Sequence, residues 1–488
     1  MKTQLSRRTE GLAFAVLGVW LLRGLLAHAT TWLVTYDPEQ PEDRVGAVAA
    51  LAASGDSILI DPGTYYEHIP LEGKSLTFVG VEGPHATVLD GGRMVAGREG
   101  SIIYTMTGES ADLRVEGLTF RNGLGAARID QDMLAGGAIM WWQAGMQFTA
   151  SLSIVDCIFA DNSTGGADYF WVDGGGAVFA EYLEGVRIER SSFSGSSTLG
   201  YGGDLKANAN EIELLECEFH MDVMSPQGIY ALGTLTIDGC TLEANAHMQG
   251  GLALQFYQGD LSILDSRFID HGWQLATRID LGSGSIPPFP RQDVLLSGNI
   301  FWNAAGTDSA TSASRTLNAF LPGGRYSIIE NTLVRCGMYL TGVGMQFADN
   351  IVARAMLLFD ISGDGDFSCN DLWLSVVGGN LDNLTVANNS SSDPLFCDEA
   401  NGDFSLSVGS PCVPSEECDL IGAETVQCDV GFRACCLSDG CQLTTEDNCT
   451  ALGGLWMIDP PYTSCDPDPC PTPIEKPTWG AVKSMFRW

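Results

Sequence analysis

One pattern limits this chain more than any other: four positions, at minus seven, minus five, minus two and zero relative to an apolar anchor, recur nine times in succession. The copies are Leu113, Val115, Leu118, Phe120; Leu152, Ile154, Cys157, Phe159; Val186, Ile188, Ser191, Phe193; Ile212, Leu214, Cys217, Phe219; and Leu235, Ile237, Cys240, Leu242. They continue as Leu261, Ile263, Ser266, Phe268; Val294, Leu296, Asn299, Phe301; Tyr326, Ile328, Asn331, Leu333; and Met345, Phe347, Asn350, Val352. Weaker copies end at Phe78 and Val88 upstream and at Leu372 and Val386 downstream. A strand alternates its faces with period two, so minus seven and minus five share a face while the step to minus two changes parity. No straight strand holds all four inside. Each copy is therefore two short strands with a bend at minus four and minus three, where Gly117, Gly239 and Gly298 supply backbone freedom at three corners.

Anchors 19 to 39 residues apart suit one turn of a coil with outward loops of variable length, and long amphipathic helical stretches are absent. The predicted fold is all-β, a single-stranded, right-handed parallel β-helix. Stacking rungs about 4.8 Å apart turns each position into a ladder. The minus-two ladder runs Cys157, Ser191, Cys217, Cys240, Ser266, Asn299, Asn331, Asn350, Asn370, and its amides can bond along the column. Gly136-Gly137-Ala138, Gly174-Gly175-Gly176-Ala177, Gly202-Gly203-Asp204 and Gly250-Gly251 read as tight turns between sheets.

Against this frame, 61 acidic and 25 basic residues, only five of them Lys, leave a net charge of −36. That charge repels phosphates and anionic lipid, which excludes nucleic acid as a partner and argues against a polyanionic substrate. Lys2, Arg7 and Arg8 precede an apolar run from Gly11 to Leu26, and Ala27-His28-Ala29 has the form of a signal-peptidase site, so residues 1–29 read as a signal peptide, with an uncleaved anchor as the competing reading. No later segment approaches spanning length, and the mature chain is expected to be secreted or cell-surface, and a monomer.

These residues resemble the secreted bacterial β-helix repeat proteins of the pectate-lyase-like superfamily, over about Thr31 to Val430. The string Gly55-Asp56-Ser57-Ile58-Leu59-Ile60-Asp61-Pro62-Gly63-Thr64-Tyr65 looks like the opening of such coils. Asp393-Pro394-Leu395-Phe396, Gly402-Asp403-Phe404-Ser405-Leu406, Ser410-Pro411-Cys412 and Ile421-Gly422-Ala423 look like their last rung. The resemblance implies a coil over 30–430 and carries little about function, because this fold hosts lyases, hydrolases and adhesins alike.

Six cysteines, Cys435, Cys436, Cys441, Cys449, Cys465 and Cys470, mark residues 431–470 as a small disulfide-stapled module of open pairing, with zinc as the rival. Cys412, Cys418 and Cys428 are expected to close the end of the coil, and Cys157, Cys217 and Cys240 to be stacked core thiols. Residues 471–488 form a Pro-rich linker and a tail, Trp479 to Arg487, that resembles tails on other secreted bacterial proteins with similar cysteine-rich segments, and that implies sorting or surface attachment; a frayed terminus is the alternative.

Chemistry is harder to find. Phe268-Ile269-Asp270-His271 resembles a pectate-lyase string, yet Phe268 is an ordinary anchor and no Arg-x-Pro-x-x-Arg follows, so Asp270 and His271 read as solvated rung residues. No cofactor is expected. Asp360, Asp364, Asp366 and Asp371 suggest Ca²⁺ only weakly, since the EF-hand spacing is absent. The better candidates are two long insertions, one with Trp141, Trp142 and Phe148 and the other with Asp168, Tyr169, Phe170, Trp171 and Asp173. Exposed rings beside carboxylates stack on sugars or anchor a protein partner, and the competing reading is a lateral cover over the coil. The expected function is that of a binding or structural module contacting polysaccharide or cell-surface components through these turns, with a polysaccharide lyase or glycoside hydrolase as the alternative.

Overall fold

The structure, a computed structural model, describes residues 29–92, 100–105, 110–128, 133–164, 172–221, 227–244, 252–270, 279–281, 293–304, 315–320, 324–428, 433–437, 440–444, 449–450 and 452–456. The chain winds as a parallel β-helix with three faces. The first and second faces belong to one large sheet and are joined where single strands such as Val178–Glu189 and Leu205–Leu215 run across both. The third face is, among the described residues, an 11-stranded parallel sheet of short strands such as Thr119–Arg121 and Ile158–Ala160.

The repeat falls into register as its spacing requires. Position minus five forms an inward column on the second face, Val115, Ile154, Ile188, Leu214, Ile237, Ile263. The anchors form another on the third face, Phe120, Phe159, Phe193, Phe219, Leu242, Phe268. Phe159 and Phe193 stack with centroids 4.6 Å apart and planes 3° from parallel, one ring per rung. All of these side chains are buried.

Between the two columns the backbone turns at minus three, and it does so the same way in every copy. Gly117, Gly239 and Gly298 adopt left-handed φ of 62° to 68°, and so do Asp156, Arg190, Glu216, Asp265, Glu330 and Asp349, with φ from 45° to 57°. Left-handed backbone is unfavourable for these non-glycine residues, so rung stacking on both sides holds it in place. Just past each corner the minus-two ladder satisfies the buried polar groups. Cys157 N donates to Ser191 Oγ, Cys240 N to Ser266 Oγ, and Ser266 N to Asn299 Oδ1, each at 3.0 Å. The amides continue through Asn331, Asn350 and Asn370 to Asn389.

At the turn onto the first face, backbone packs directly on backbone. A Cβ on Gly137 would overlap the carbonyl oxygen of Gly176, and one on Gly176 that of Gly203, which is why glycine recurs there. Gly250-Gly251 lies outside the described residues.

Helix α1 (Arg44–Leu51) covers the N-terminal end, burying Val45 and Ala49. Its first turn is held by Glu67, whose carboxylate accepts from Val45 N at 2.7 Å and Gly46 N at 3.1 Å. Burial nevertheless pushes Glu67 up to about 7, outweighing both donors.

Two expectations are corrected. The weak copies are out of step: the upstream anchors are Tyr65 and Leu89, since Val88 points to the other face, and Phe78 and Val386 belong to the minus-five column. A one-residue slip exchanges inside for outside. The strings expected as the last rung instead fold back along the outside of the third face. There Phe396, Phe404, Leu406, Cys412 and Ile421 bury the outward Ile300, Trp302, Val334, Ile351, Ala353 and Trp373. Arg267 reaches this cover through Glu424 at 2.8 Å, and Cys369–Cys418 ties it to a rung. Cys397–Cys428 closes the cover on itself, while Cys412 is a free buried thiol, as are Cys157, Cys217 and Cys240.

Beyond the cover, Arg433–Leu437 pairs with Gly440–Thr444 and Leu455–Trp456 in a small antiparallel sheet. Cys435–Cys449 staples it, and Cys436 and Cys441 are also disulfide-bonded. These four sulfurs are therefore not free to ligate zinc. The tail from 457 onward lies outside the described residues.

Candidate functional site

Adjacent residues of a strand point to opposite sides, so Trp141 and Trp142 part company. Trp141 turns inward, fully buried, with Nε1 donating to Ala111 O at 2.9 Å. Its neighbours on the following rungs are Ala180, Ala207 and Ala231, and these small side chains leave room for the indole. Trp142 points outward but is only 3% exposed. It packs with Ala135, Met140 and Phe179, and its Nε1 donates to Thr105 O at 3.2 Å. Neither ring presents a face to a ligand, which corrects the expectation of exposed indoles. Phe148 meets Tyr182 edge-on at 5.9 Å. Asp168, Tyr169, Phe170 and Trp171 lie outside the described residues, as does His271; of Asp270 only the backbone, in the strand Arg267–Asp270, is described.

Trp142 is covered because a second layer lies over the first face. Ala126–Arg128, Met133–Ala135 and Val172–Gly174 form a three-stranded sheet, and Leu134 and Ala135 of its middle strand are buried. Asp173 belongs to this outer sheet, and its carboxylate meets the ammonium of Lys206 on the rung below. Lys206 Nζ also lies 3.6 Å from Glu181 Oε1, 4.8 Å from the centre of the Phe179 ring and 6.0 Å from that of Tyr230. The side chains of Lys206, Glu181 and Asp173 are 7%, 10% and 12% exposed, so three charges sit together almost out of water. Register explains the meeting: Phe179, Lys206, Tyr230 and Gln255 form one outward column, and Glu181 stands two residues along from Phe179.

On the solvent side of this cluster three tyrosines run along the coil axis. Tyr201 and Tyr230 have centroids 4.9 Å apart, and Tyr230 and Tyr257 5.5 Å. Tyr201 is 49% exposed, and the row passes from it to the half-buried Tyr230 and Tyr257. Burial pushes the Tyr230 hydroxyl above its ordinary value, reinforced by the fields of Tyr257, Tyr201, Glu181 and Asp173. Gln255 Nε2 donates to the Tyr257 hydroxyl, fixing the far end of the row.

Elsewhere, a groove of about 770 Å³ follows the left-handed corner and is lined by His85, Glu116, Asp156, Arg190, Glu216 and Glu218. Arg190 grips Asp156 at 2.8 and 3.0 Å, holding that carboxylate below its ordinary range. Among the described residues no three side chains of His, Cys, Asp or Glu gather closely enough to hold a metal ion. No helix among them is long and apolar enough to cross a membrane.

Neither Lys206 nor the tyrosine row was singled out by the sequence. The available signal was a lysine between Leu205 and Ala207, in a chain with five lysines; Tyr201, Tyr230 and Tyr257 fall on successive rungs but at no fixed offset from the anchors Phe193, Phe219 and Leu242. No known protein family matches the chain, and a search of curated proteins returns no match.

Proposed function

We propose that this chain is a secreted or surface-displayed β-helix of the pectate-lyase-like kind that binds glycan along the first face. The observation that carries the reading is the Tyr201–Tyr230–Tyr257 row, one ring per rung, opening to solvent at Tyr201. Such rings stack on the apolar faces of sugars, while tyrosine hydroxyls bond sugar hydroxyls. The disulfides and the N-terminal basic-apolar segment support secretion. Binding is better supported than hydrolysis or elimination, because the two carboxylates that converge on this face are occupied by Lys206 and shielded from solvent.

Replacing Tyr201 and Tyr257 by Ala together is expected to abolish retention on a glycan array while leaving the coil folded. Unchanged retention would remove the tyrosine row from the account. Release of unsaturated or reducing ends from a polysaccharide panel would replace binding with catalysis.

A further inference from the structure

We propose that Lys206 and Asp173 are joined by an intramolecular isopeptide bond, formed with Glu181 as the proton carrier. Three observations meet at this site. Lys206 Nζ contacts the Asp173 carboxylate and has Glu181 Oε1 at 3.6 Å, so amine, electrophile and a second carboxyl are already assembled. All three side chains are nearly buried, and Lys206 Nζ lies over the Phe179 and Tyr230 rings. Asp173 comes from the outer sheet and Lys206 from a rung of the coil, so the bond would fasten cover to coil.

An ion pair taken out of water loses hydration that its mutual attraction repays incompletely. Condensation removes both charges and expels a water molecule from an apolar site, which favours the amide there although bulk water favours hydrolysis. The step balances without oxidant, reductant or cofactor. A proton passes from the Lys206 ammonium to the Asp173 carboxylate by way of Glu181. The free amine lone pair then attacks Asp173 Cγ, forming the C–N bond. Glu181 takes a second proton from the nitrogen and delivers it to the oxygen that departs as water, breaking the C–O bond. Ammonium and carboxylate become amide and water, and Glu181 ends as it began, placed to accept the new amide N–H. A structural ion pair needs only one carboxylate for its ammonium; the second supplies the proton route.

The test is mass spectrometry of the purified, disulfide-reduced chain against its Lys206→Arg variant. After correction for the substitution, the wild-type chain is expected to be lighter by one water. Trypsin should fail to cleave after Lys206 and should yield one branched peptide carrying Asp173 and Lys206. Glu181→Gln should restore the full mass and the cleavage with an unchanged circular dichroism spectrum. Wild-type protein at full mass, cleaved after Lys206, overturns the proposal. So does a water loss that maps to another peptide, as a succinimide would, and a cross-link that survives Glu181→Gln overturns the assigned role of Glu181.

Discussion

Replacing Asn331 by Ala removes the middle of the amide ladder. Asn331 is fully buried. Its Oδ1 accepts from Asn299 N and Asn299 Nδ2, each at 3.0 Å, and its Nδ2 is shared among Leu296 O at 3.0 Å, Ile329 O at 2.8 Å and Asn350 Oδ1 at 3.0 Å. The alanine variant strands the Asn299 backbone N–H in the interior, a loss of about 1–3 kcal/mol, and each remaining bond adds about 0.5–1.5 kcal/mol. A destabilisation of about 3–7 kcal/mol is expected. Serine gives an internal control, because Ser191 and Ser266 already serve as acceptors in this column. Asn331→Ser should therefore recover roughly half of the loss by accepting from Asn299 N. Rungs couple mainly to their neighbours, so the urea transition is best followed locally, through hydrogen exchange of the Asn299 amide. Exchange should accelerate strongly in the alanine variant and much less in the serine variant. If the two variants behave alike, or alanine costs under about 1 kcal/mol, the ladder is not what satisfies this column.

Burial raises Asp371 from 3.8 to about 6, despite donors from Ser392 N at 2.8 Å and the Ser390 hydroxyl at 3.1 Å. A raised acid is stabilising while protonated, so its contribution is complete below its unfolded value and is lost as pH rises through about 6, a change of roughly 3 kcal/mol. Asp371→Asn should flatten the pH dependence of the urea midpoint between about pH 4 and pH 7, and an unaltered slope would contradict the assignment. Cys369–Cys418 closes 49 residues, for which loop entropy gives about 4 kcal/mol. Cys369→Ser should make the segment from Asp393 to Cys428 more sensitive to protease than the coil itself, and equal sensitivity would show that packing alone retains the cover.

The coil was legible because its constraint is repeated: an apolar column that must stay inside on every rung leaves the same mark at Phe120, Phe159 and Phe193. The corner was legible only where glycine marked it. Asp156, Glu216 and Asp349 adopt the same left-handed backbone, but stacking imposes it, and nothing in those residue types announces it. The fold-back cover left a trace in Trp302, Val334, Ala353 and Trp373, four apolar residues immediately after anchors, where earlier rungs carry Arg121, Ser194, His220 and Glu243. An outward position that turns apolar over consecutive rungs signals a second layer. On the first face the parity of adjacent residues sends Trp141 in and Trp142 out, but only the outer sheet decides that Trp142 is covered. The Lys206 cluster needed three-dimensional register, since Asp173, Glu181 and Lys206 lie on three separate strands.

The central claim is that the tyrosine row of the first face is a glycan platform. Affinity electrophoresis through gels containing a neutral polysaccharide or polygalacturonate tests it with the intact chain. Retardation by the neutral gel, lost in the Tyr201→Ala, Tyr257→Ala double variant, is the expected result; the chain's net charge of −36 opposes retention by the polyanion. Free migration through every polysaccharide, or retardation that the double variant retains in full, would contradict the account.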